Sequence, residues 1–216
     1  MKKMYSFVLL MMPFALFSQI VDSTWVVNNY TKTELMIPMR DGIKLFTTIY
    51  APKDNSETHP ILLTRTPYSC APYGKDIFTS IWNSPRSVFF KEKYIYVTQD
   101  VRGRWMSEGV FEDIRPYVPN KKADQIDEAT DSYDAIDWMV KNIKNNNGRV
   151  GVFGTSYPGF YATLTALSNH PALKAVSPQA PVTEWFIGDD FHHNGAFMLA
   201  DAFAFYSGFG KPRPTR

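Results

Sequence analysis

The chain has 216 residues, 44% of them hydrophobic, and its 16 Phe, 12 Tyr and 5 Trp supply enough apolar surface for one packed core. Its 23 basic and 21 acidic residues nearly balance, so charge gives no argument for nucleic acid or an anionic membrane as a partner. A single cysteine, Cys70, excludes a disulfide within the chain.

The first 18 residues have the pattern of a secretory leader. Lys2 and Lys3 precede about a dozen mostly apolar residues, a run too short to span a bilayer. We predict a signal peptide at 1–18, cleaved after Ser18, and export to the periplasm or the medium, with no membrane segment in the mature form. Removing it leaves 21 basic and 21 acidic residues, a formally neutral chain. The alternative is a buried N-terminal strand or helix.

The segments after the leader alternate between strand and helix patterns. Strands are predicted at residues 35–39, 43–50, 61–65, 94–100, 149–153 and 173–176. Helices are predicted at residues 129–143 and 160–168, with a short one at about 77–82 inside a long loop. Asp41-Gly42 is a strong turn signal between the first two strands. This order predicts an α/β fold in which a hairpin precedes a mostly parallel central sheet.

Residues 154–159 read Gly-Thr-Ser-Tyr-Pro-Gly and join a predicted strand to a predicted helix. A G-x-S-x-G pattern in that context places the serine on a strained turn with its hydroxyl exposed above the sheet. We therefore predict that Ser156 is a nucleophile and that the backbone N–H of Tyr157 points at a developing oxyanion. The alternative is an ordinary turn in which Ser156 only caps the helix.

This hexapeptide, with other segments, resembles α/β-hydrolases related to X-Pro dipeptidyl-peptidase, cocaine esterase, α-amino-acid ester hydrolase and glutaryl cephalosporin acylase. The matching segments keep the family's order and lie at residues 39–45, 65–68, 100–103, 107–109, 154–159 and 170–175. The resemblance implies that Ser156 accepts the acyl group and that the Tyr68 O–H is a second oxyanion donor beside the Tyr157 N–H. It implies small ester, amide or short peptide substrates. It also implies that catalysis needs neither a metal ion nor an organic cofactor.

Neither the acid nor the histidine of the family's catalytic triad has a match in this chain. In this fold both follow the serine, the acid first. His192 and His193 follow Ser156 by only 36 and 37 residues, which is too soon, and His170 stands where a structural residue is expected. We therefore expect the chain alone to hydrolyse little or nothing.

The domain prediction follows from the same observation. Residues 19–216 are predicted to form an incomplete α/β-hydrolase domain, truncated before its cap is complete. The segment from about 184 to 216 is predicted to begin that cap insertion.

Several alternatives remain open at this point. Asp189 and Asp190 are candidates either for substrate contact or for structural capping at the entrance to the cap. Asp100 and Arg102, at a strand end, predict a buried pair that orders the backbone. The whole chain is also compatible with a non-catalytic binding or interaction module on a hydrolase scaffold. The sequence does not indicate an oligomeric state.

Overall fold

The computed structural model describes residues 23–78, 86–122, 124–184, 186–188 and 190–210. The predicted leader lies outside these residues, as does most of the short helix predicted near residue 77. The helices are Ser23–Asn29 (α1), Ser87–Lys91 (α2), Glu128–Asn142 (α3), Tyr157–Ala166 (α4) and Leu199–Tyr206 (α5). The strands are Tyr30–Pro38 (β1), Lys44–Pro52 (β2), His59–Thr66 (β3), Ile95–Asp100 (β4), Asn146–Thr155 (β5), Leu173–Gln179 (β6), His192–His193 (β7) and Ala196–Phe197 (β8).

Six of these strands form one sheet in the order β1-β2-β4-β3-β5-β6. The predicted hairpin is confirmed: β1 and β2 pair antiparallel from Tyr30↔Pro52 to Pro38↔Lys44, and Gly42 has a φ of 85° in the turn. β4 pairs antiparallel with β2, whereas β3, β4, β5 and β6 run parallel to one another. The carboxyl ends of the parallel strands therefore meet at one edge of the sheet, where ligands bind in open α/β folds.

Alternation along the strands covers both faces of the sheet. Ile61 and Leu63 pack with α3 and α4 in one cluster, whereas Leu62 packs with α1 and α2 in another. Helix α3 lies within one residue of its predicted bounds because its start is well capped. The Asp127 carboxylate accepts from the Thr130 N–H at 2.9 Å, and the Asp127 N–H donates to the Thr130 hydroxyl at 2.9 Å.

A buried ionic cluster ties the sheet to α3 beneath the carboxyl edge. Arg65, whose side chain is fully buried, lies 3.1 Å from the Glu128 carboxylate and 3.8 Å from that of Asp131. Asp131 also pairs with Arg102 at 2.6 Å, and Arg102 reaches Asp41 at 2.7 Å. Because a buried charge is costly without partners, this cluster makes the positions of β3, α3 and the loop after β4 interdependent.

The lateral edge of the sheet formed by β6 is less covered than its centre. Among the described residues, β6 pairs only with β5, and five of its seven residues are exposed. A groove of about 600 Å³ runs beside these two strands and is lined by apolar side chains such as Phe89, Phe153 and Val176.

Candidate active site

Ser156 stands alone between β5 and α4, in a backbone conformation that L-residues rarely adopt. Its φ is 63° and its ψ is −123°. Such a conformation costs on the order of 1–3 kcal/mol and persists only where the surrounding structure imposes it. Ser156 occupies the N-cap position of α4 but its side chain makes no capping hydrogen bond, so the expectation that its hydroxyl caps the helix is wrong.

Two glycines allow this turn to close. A Cβ on Gly154 would lie 2.1 Å from the carbonyl oxygen of Pro158, and a Cβ on Gly159 would lie 2.7 Å from that of Gln179. The Ser156 N–H donates to the same Gln179 carbonyl at 3.0 Å, which fixes the turn against β6. The glycine spacing read from the sequence is therefore a steric requirement of the strand-to-helix junction.

Tyr68 and Ser156 line the same small cavity. The Ser156 hydroxyl is near enough to the Tyr68 phenol to lower its pKa. Its ring packs edge-on against Tyr157, with 5.9 Å between centroids, and the side chain is 42% exposed. Burial raises the pKa of Tyr68, the bond to Ser156 lowers it, and the nearby carboxylates of Asp113 and Asp190 raise it. The phenol therefore keeps its proton at neutral pH, as a hydrogen-bond donor must.

The backbone N–H of Tyr157 belongs to the first turn of α4. Amides in that turn have no acceptor within the helix and carry the positive end of the helix dipole. Tyr157 and Tyr68 both line the cavity at Ser156. The structure brings together all three residues singled out in the sequence.

A small cavity of about 120 Å³ opens at this point. It is lined by Tyr68, Ser156, Tyr157, Val182, Asp190, Phe191 and Phe205. Asp190 is the one ionisable carboxylate in this lining. Its place in the lining is compatible with both interpretations left open by the sequence, and Asp189 lies outside the described residues.

Helix α5 supplies an aromatic wall that the sequence reasoning did not assign. The Tyr157 ring stacks on Phe205 at 5.8 Å and contacts Phe209 at 4.8 Å. Its hydroxyl lies 3.0 Å from that of Tyr206 and donates to Asp113 at 3.4 Å. Burial raises the pKa of Asp113, and the bonds from the two tyrosines oppose this effect. The aromatic run at 203–209 was visible in the sequence, but its partner was not.

None of the four histidines, all of which lie in the described part of the chain, hydrogen-bonds to Ser156. His59 contacts the backbone oxygen of Asp54 at 3.1 Å. His170 accepts from the Ala172 N–H at 3.1 Å, and burial lowers its pKa, consistent with a structural role. His192 packs between the rings of Phe186 and Phe197, with centroids at 5.2 and 5.0 Å.

Asp100 and Arg102 do not form the predicted pair with each other. Arg102 binds Asp131 and Asp41, as described above, whereas Asp100 binds the loop that carries Tyr68. Asp100 orders backbone by accepting from the Cys70 and Met106 N–H groups, whereas Arg102 pairs with carboxylates on α3 and in the β1–β2 turn.

The family of the chain follows from comparison with known proteins. The family model described as "X-Pro dipeptidyl-peptidase (S15 family)" matches residues 41–213. The chain belongs to this family. It is 34% identical over 178 residues to the cocaine esterase of a Rhodococcus species, which covers 81% of this chain and 28% of that protein.

Solved structures agree in fold. An aminopeptidase from a marine sediment archaeon, Thaumarchaeota archaeon, is 41% identical with a TM-score of 0.73, over 82% of this chain and 30% of that one. An α-amino-acid ester hydrolase is 38% identical with a TM-score of 0.74, over 94% of this chain and 34% of that one. The fold is therefore part of an α/β-hydrolase, as predicted, and the chain spans about a third of these hydrolases' length.

Two features can be stated for the residues that the structure describes. Within them, no helix is both long and apolar enough to cross a membrane. No cluster of His, Cys, Asp and Glu among those same residues is arranged to hold a metal ion.

Proposed function

We propose that this chain carries the nucleophile and oxyanion site of a serine acyl hydrolase that acts on esters or amides of α-amino acids. The observation that supports this proposal most directly is that Ser156, in its strained turn, shares one small cavity with Tyr68, Tyr157 and Asp190. In the proposed reaction Ser156 attacks the substrate carbonyl and loses its proton to a base. The leaving group departs with a proton, and water then releases the acid from the acyl-enzyme.

The two donors account for stabilisation of the tetrahedral intermediate. The Tyr157 N–H is fixed by the main chain, and the Tyr68 O–H remains protonated because burial and two carboxylates raise its pKa. Removing one donor of this kind typically costs about 10²–10³ in turnover. No metal or organic cofactor has a step in this proposal.

Asp190 supports the choice of substrate class. A carboxylate at the mouth of an aromatic cavity favours a positively charged group beside the scissile carbonyl, which an α-amino ester or amide provides. The cavity volume of about 120 Å³ suits a small acyl side chain. Two structural relatives are an aminopeptidase and an α-amino-acid ester hydrolase, which is compatible with this chemistry.

The base and acid of the triad are proposed to come from residues beyond these 216, because no histidine here contacts Ser156. The 216-residue chain should then hydrolyse substrate weakly or not at all. Fluorophosphonate labelling, read by mass spectrometry, reports whether Ser156 is activated. We expect labelling in the longest product of the reading frame and at most slow labelling in the 216-residue chain, with Ser156→Ala as the unlabelled control.

Substrate class is tested in that longest product with a matched pair of nitroanilides, one with a free α-amino group and one N-acetylated. Asp190→Asn should lower kcat/KM for the free amine by about tenfold or more and leave the acetylated compound unchanged. Glu184→Gln, which removes a charge from the same segment without lining the cavity, is the matched control. Equal losses for both substrates would contradict the proposed role of Asp190.

The second candidate, a non-catalytic binding module, makes different predictions. It would bind amino-acid esters without labelling of Ser156 in any length of the chain. Its binding would also be insensitive to Ser156→Ala.

We also propose that residues 1–18 direct export of the chain. Fractionation of cells that express the chain with and without residues 1–18 tests this proposal.

A further inference from the structure

We propose that Asp100 is a positioning residue for the Tyr68 phenol. This inference rests on the proposed function only in assigning Tyr68 to the oxyanion; the mechanical claim concerns the loop itself. Asp100 ends β4, makes no contact with Ser156, and lies across the sheet edge from the loop at residues 66–73.

The Asp100 side chain is completely buried and accepts hydrogen bonds from two separate segments. One carboxylate oxygen accepts from the Cys70 N–H at 2.7 Å, two residues after Tyr68. The other accepts from the Tyr73 hydroxyl at 3.1 Å and from the Met106 N–H at 3.2 Å. A buried carboxylate with three donors holds those donors in place, because losing any of them leaves charge unsatisfied.

The residue before Tyr68 is held from the same side. The carbonyl oxygen of Pro67 accepts from the Arg104 Nε at 3.0 Å and from the Trp105 indole N–H at 2.9 Å. The Tyr68 N–H itself donates to the Thr66 hydroxyl at 3.0 Å. The segment at residues 100–107 therefore holds the chain at Pro67 and at Cys70, one residue before and two residues after Tyr68.

The segment at residues 100–107 has little freedom of its own. The Ser107 hydroxyl donates to the Asp100 carbonyl at 2.6 Å and accepts from the Phe46 N–H at 2.8 Å, which ties it to β2. Gly103 has a φ of 70°, and a Cβ there would lie 2.0 Å from the Phe111 nitrogen. The Tyr68 loop is therefore hydrogen-bonded to a segment whose own position is fixed by these contacts.

This arrangement matters because an oxyanion donor acts by being in place before charge develops. Tyr68 is on a loop and 42% exposed, so its ring contacts with Tyr157 and Phe209 cover only part of the side chain. A displacement of about 1 Å at such a donor is enough to lose much of its effect. Asp100 would supply the rigidity that the exposed ring lacks.

The test uses the 216-residue chain, so that it does not depend on hydrolysis. Tyrosine labelled at Cζ gives the Tyr68 phenol pKa by NMR, and hydrogen exchange gives the protection of the Cys70 amide. Asp100→Asn should move the Tyr68 pKa down toward the ordinary value of about 10 and speed Cys70 exchange about tenfold or more. Tyr73→Phe, which removes one donor and no charge, should give the same changes at smaller size.

Asp127→Asn is the matched control, since it removes another buried carboxylate while asparagine still caps α3. It should leave the Tyr68 pKa and the Cys70 amide unchanged. If Asp100→Asn does not fold, Tyr73→Phe decides the matter. Unchanged Tyr68 pKa and Cys70 exchange in a folded Asp100→Asn or Tyr73→Phe chain would overturn the proposal.

A kinetic cycle in the longest active product adds a readout that mere destabilisation would not reproduce. Asp100→Asn should lower kcat with KM unchanged, and it should lower kcat much less when Tyr68 is already phenylalanine. Equal losses in both backgrounds would show that Asp100 acts independently of Tyr68. If no product of the frame hydrolyses substrate, the proposed function fails while the NMR test of Asp100 still stands.

Discussion

The turn around Ser156 and helix α5 border the same cavity but are held in place by different means. The turn is fixed by main-chain pairing of β5 on both sides and by glycines that have no room for a Cβ. Helix α5 buries only Ala202 among its own residues and attaches through the rings of Phe205 and Tyr206, with Phe209 just beyond it. The main chain thus sets the position of Ser156, whereas side-chain packing sets the opposite wall of the cavity, which can vary in sequence without disturbing the turn.

Glycine substitutions should break this comparison most strongly. Gly154→Ala places a Cβ 2.1 Å from a backbone oxygen that cannot move without unpairing β5 or unwinding α4. We expect a loss of about 4 kcal/mol or more in the free energy of unfolding, measured with urea. Gly208→Ala, beyond α5, meets nothing within 4 Å and should be neutral or stabilise by up to about 1 kcal/mol. Similar effects at the two glycines would refute the comparison.

Truncating one side chain in the sheet, Arg65, and one beside α5, Phe209, should sharpen this comparison. Arg65→Ala leaves the Glu128 carboxylate without its buried counter-charge, whereas Asp131 keeps Arg102, and should cost about 3–5 kcal/mol in unfolding free energy. Phe209→Ala removes ring contacts at a partly exposed site and should cost about 1–2 kcal/mol, below the value for a fully buried Phe. Limited proteolysis should then cut Phe209→Ala within 199–210 while the rest of the fold survives. Global unfolding of Phe209→Ala would contradict this expectation.

The smallest effects on stability should come from pH. The pKa shifts of two carboxylates, Asp127 at the start of α3 and Asp113 beside α5, should change stability with pH in opposite directions. Burial would raise the pKa of Asp127, but hydrogen bonds from Val118, Lys121 and Thr130 lower it overall. Its contribution to stability is therefore present above the unfolded value of about 3.9 and is lost as pH falls through the lower folded pKa.

Asp113, beside α5, behaves in the reverse way because burial raises its pKa. Its contribution is greatest below about 3.9 and is lost as pH rises through the higher folded pKa. Urea unfolding between pH 3 and 7 should show that Asp127→Asn becomes less stable than the wild type as pH rises, whereas Asp113→Asn becomes more stable than the wild type as pH rises. The same pH trend in both variants would contradict the assigned signs.

The sequence predicted the parts of the fold that depend on local pattern. The hairpin, the strands at 61–65 and 94–100 and helix α3 follow from alternation, from Asp41-Gly42 and from a helical period. The turn at Ser156 could be predicted because its glycines mark a steric constraint that is local. β5 begins earlier than predicted because Asn146 pairs with His59 on β3, a contact between distant segments.

The parts that could not be predicted depend on contacts between segments far apart in the sequence. Nothing near Asp100 indicates that it holds the Tyr68 loop rather than Arg102. Phe205 stacks on Tyr157, but each residue fits the helical pattern of its own segment, so neither pattern indicates that the two rings meet. Tyr68 itself was assigned through the family resemblance, because an isolated tyrosine at a strand end has no local signature.

The edge of β6 that has no partner strand among the described residues has a practical consequence for anyone producing the chain. Main-chain donors and acceptors along such an edge can pair with a strand from another molecule. The strand's own sequence moderates this hazard, since Lys174 adds charge and Pro178 lacks an N–H. Solubility, expression yield and apparent cooperativity of unfolding will therefore depend on what pairs with that edge as much as on the well-packed interior.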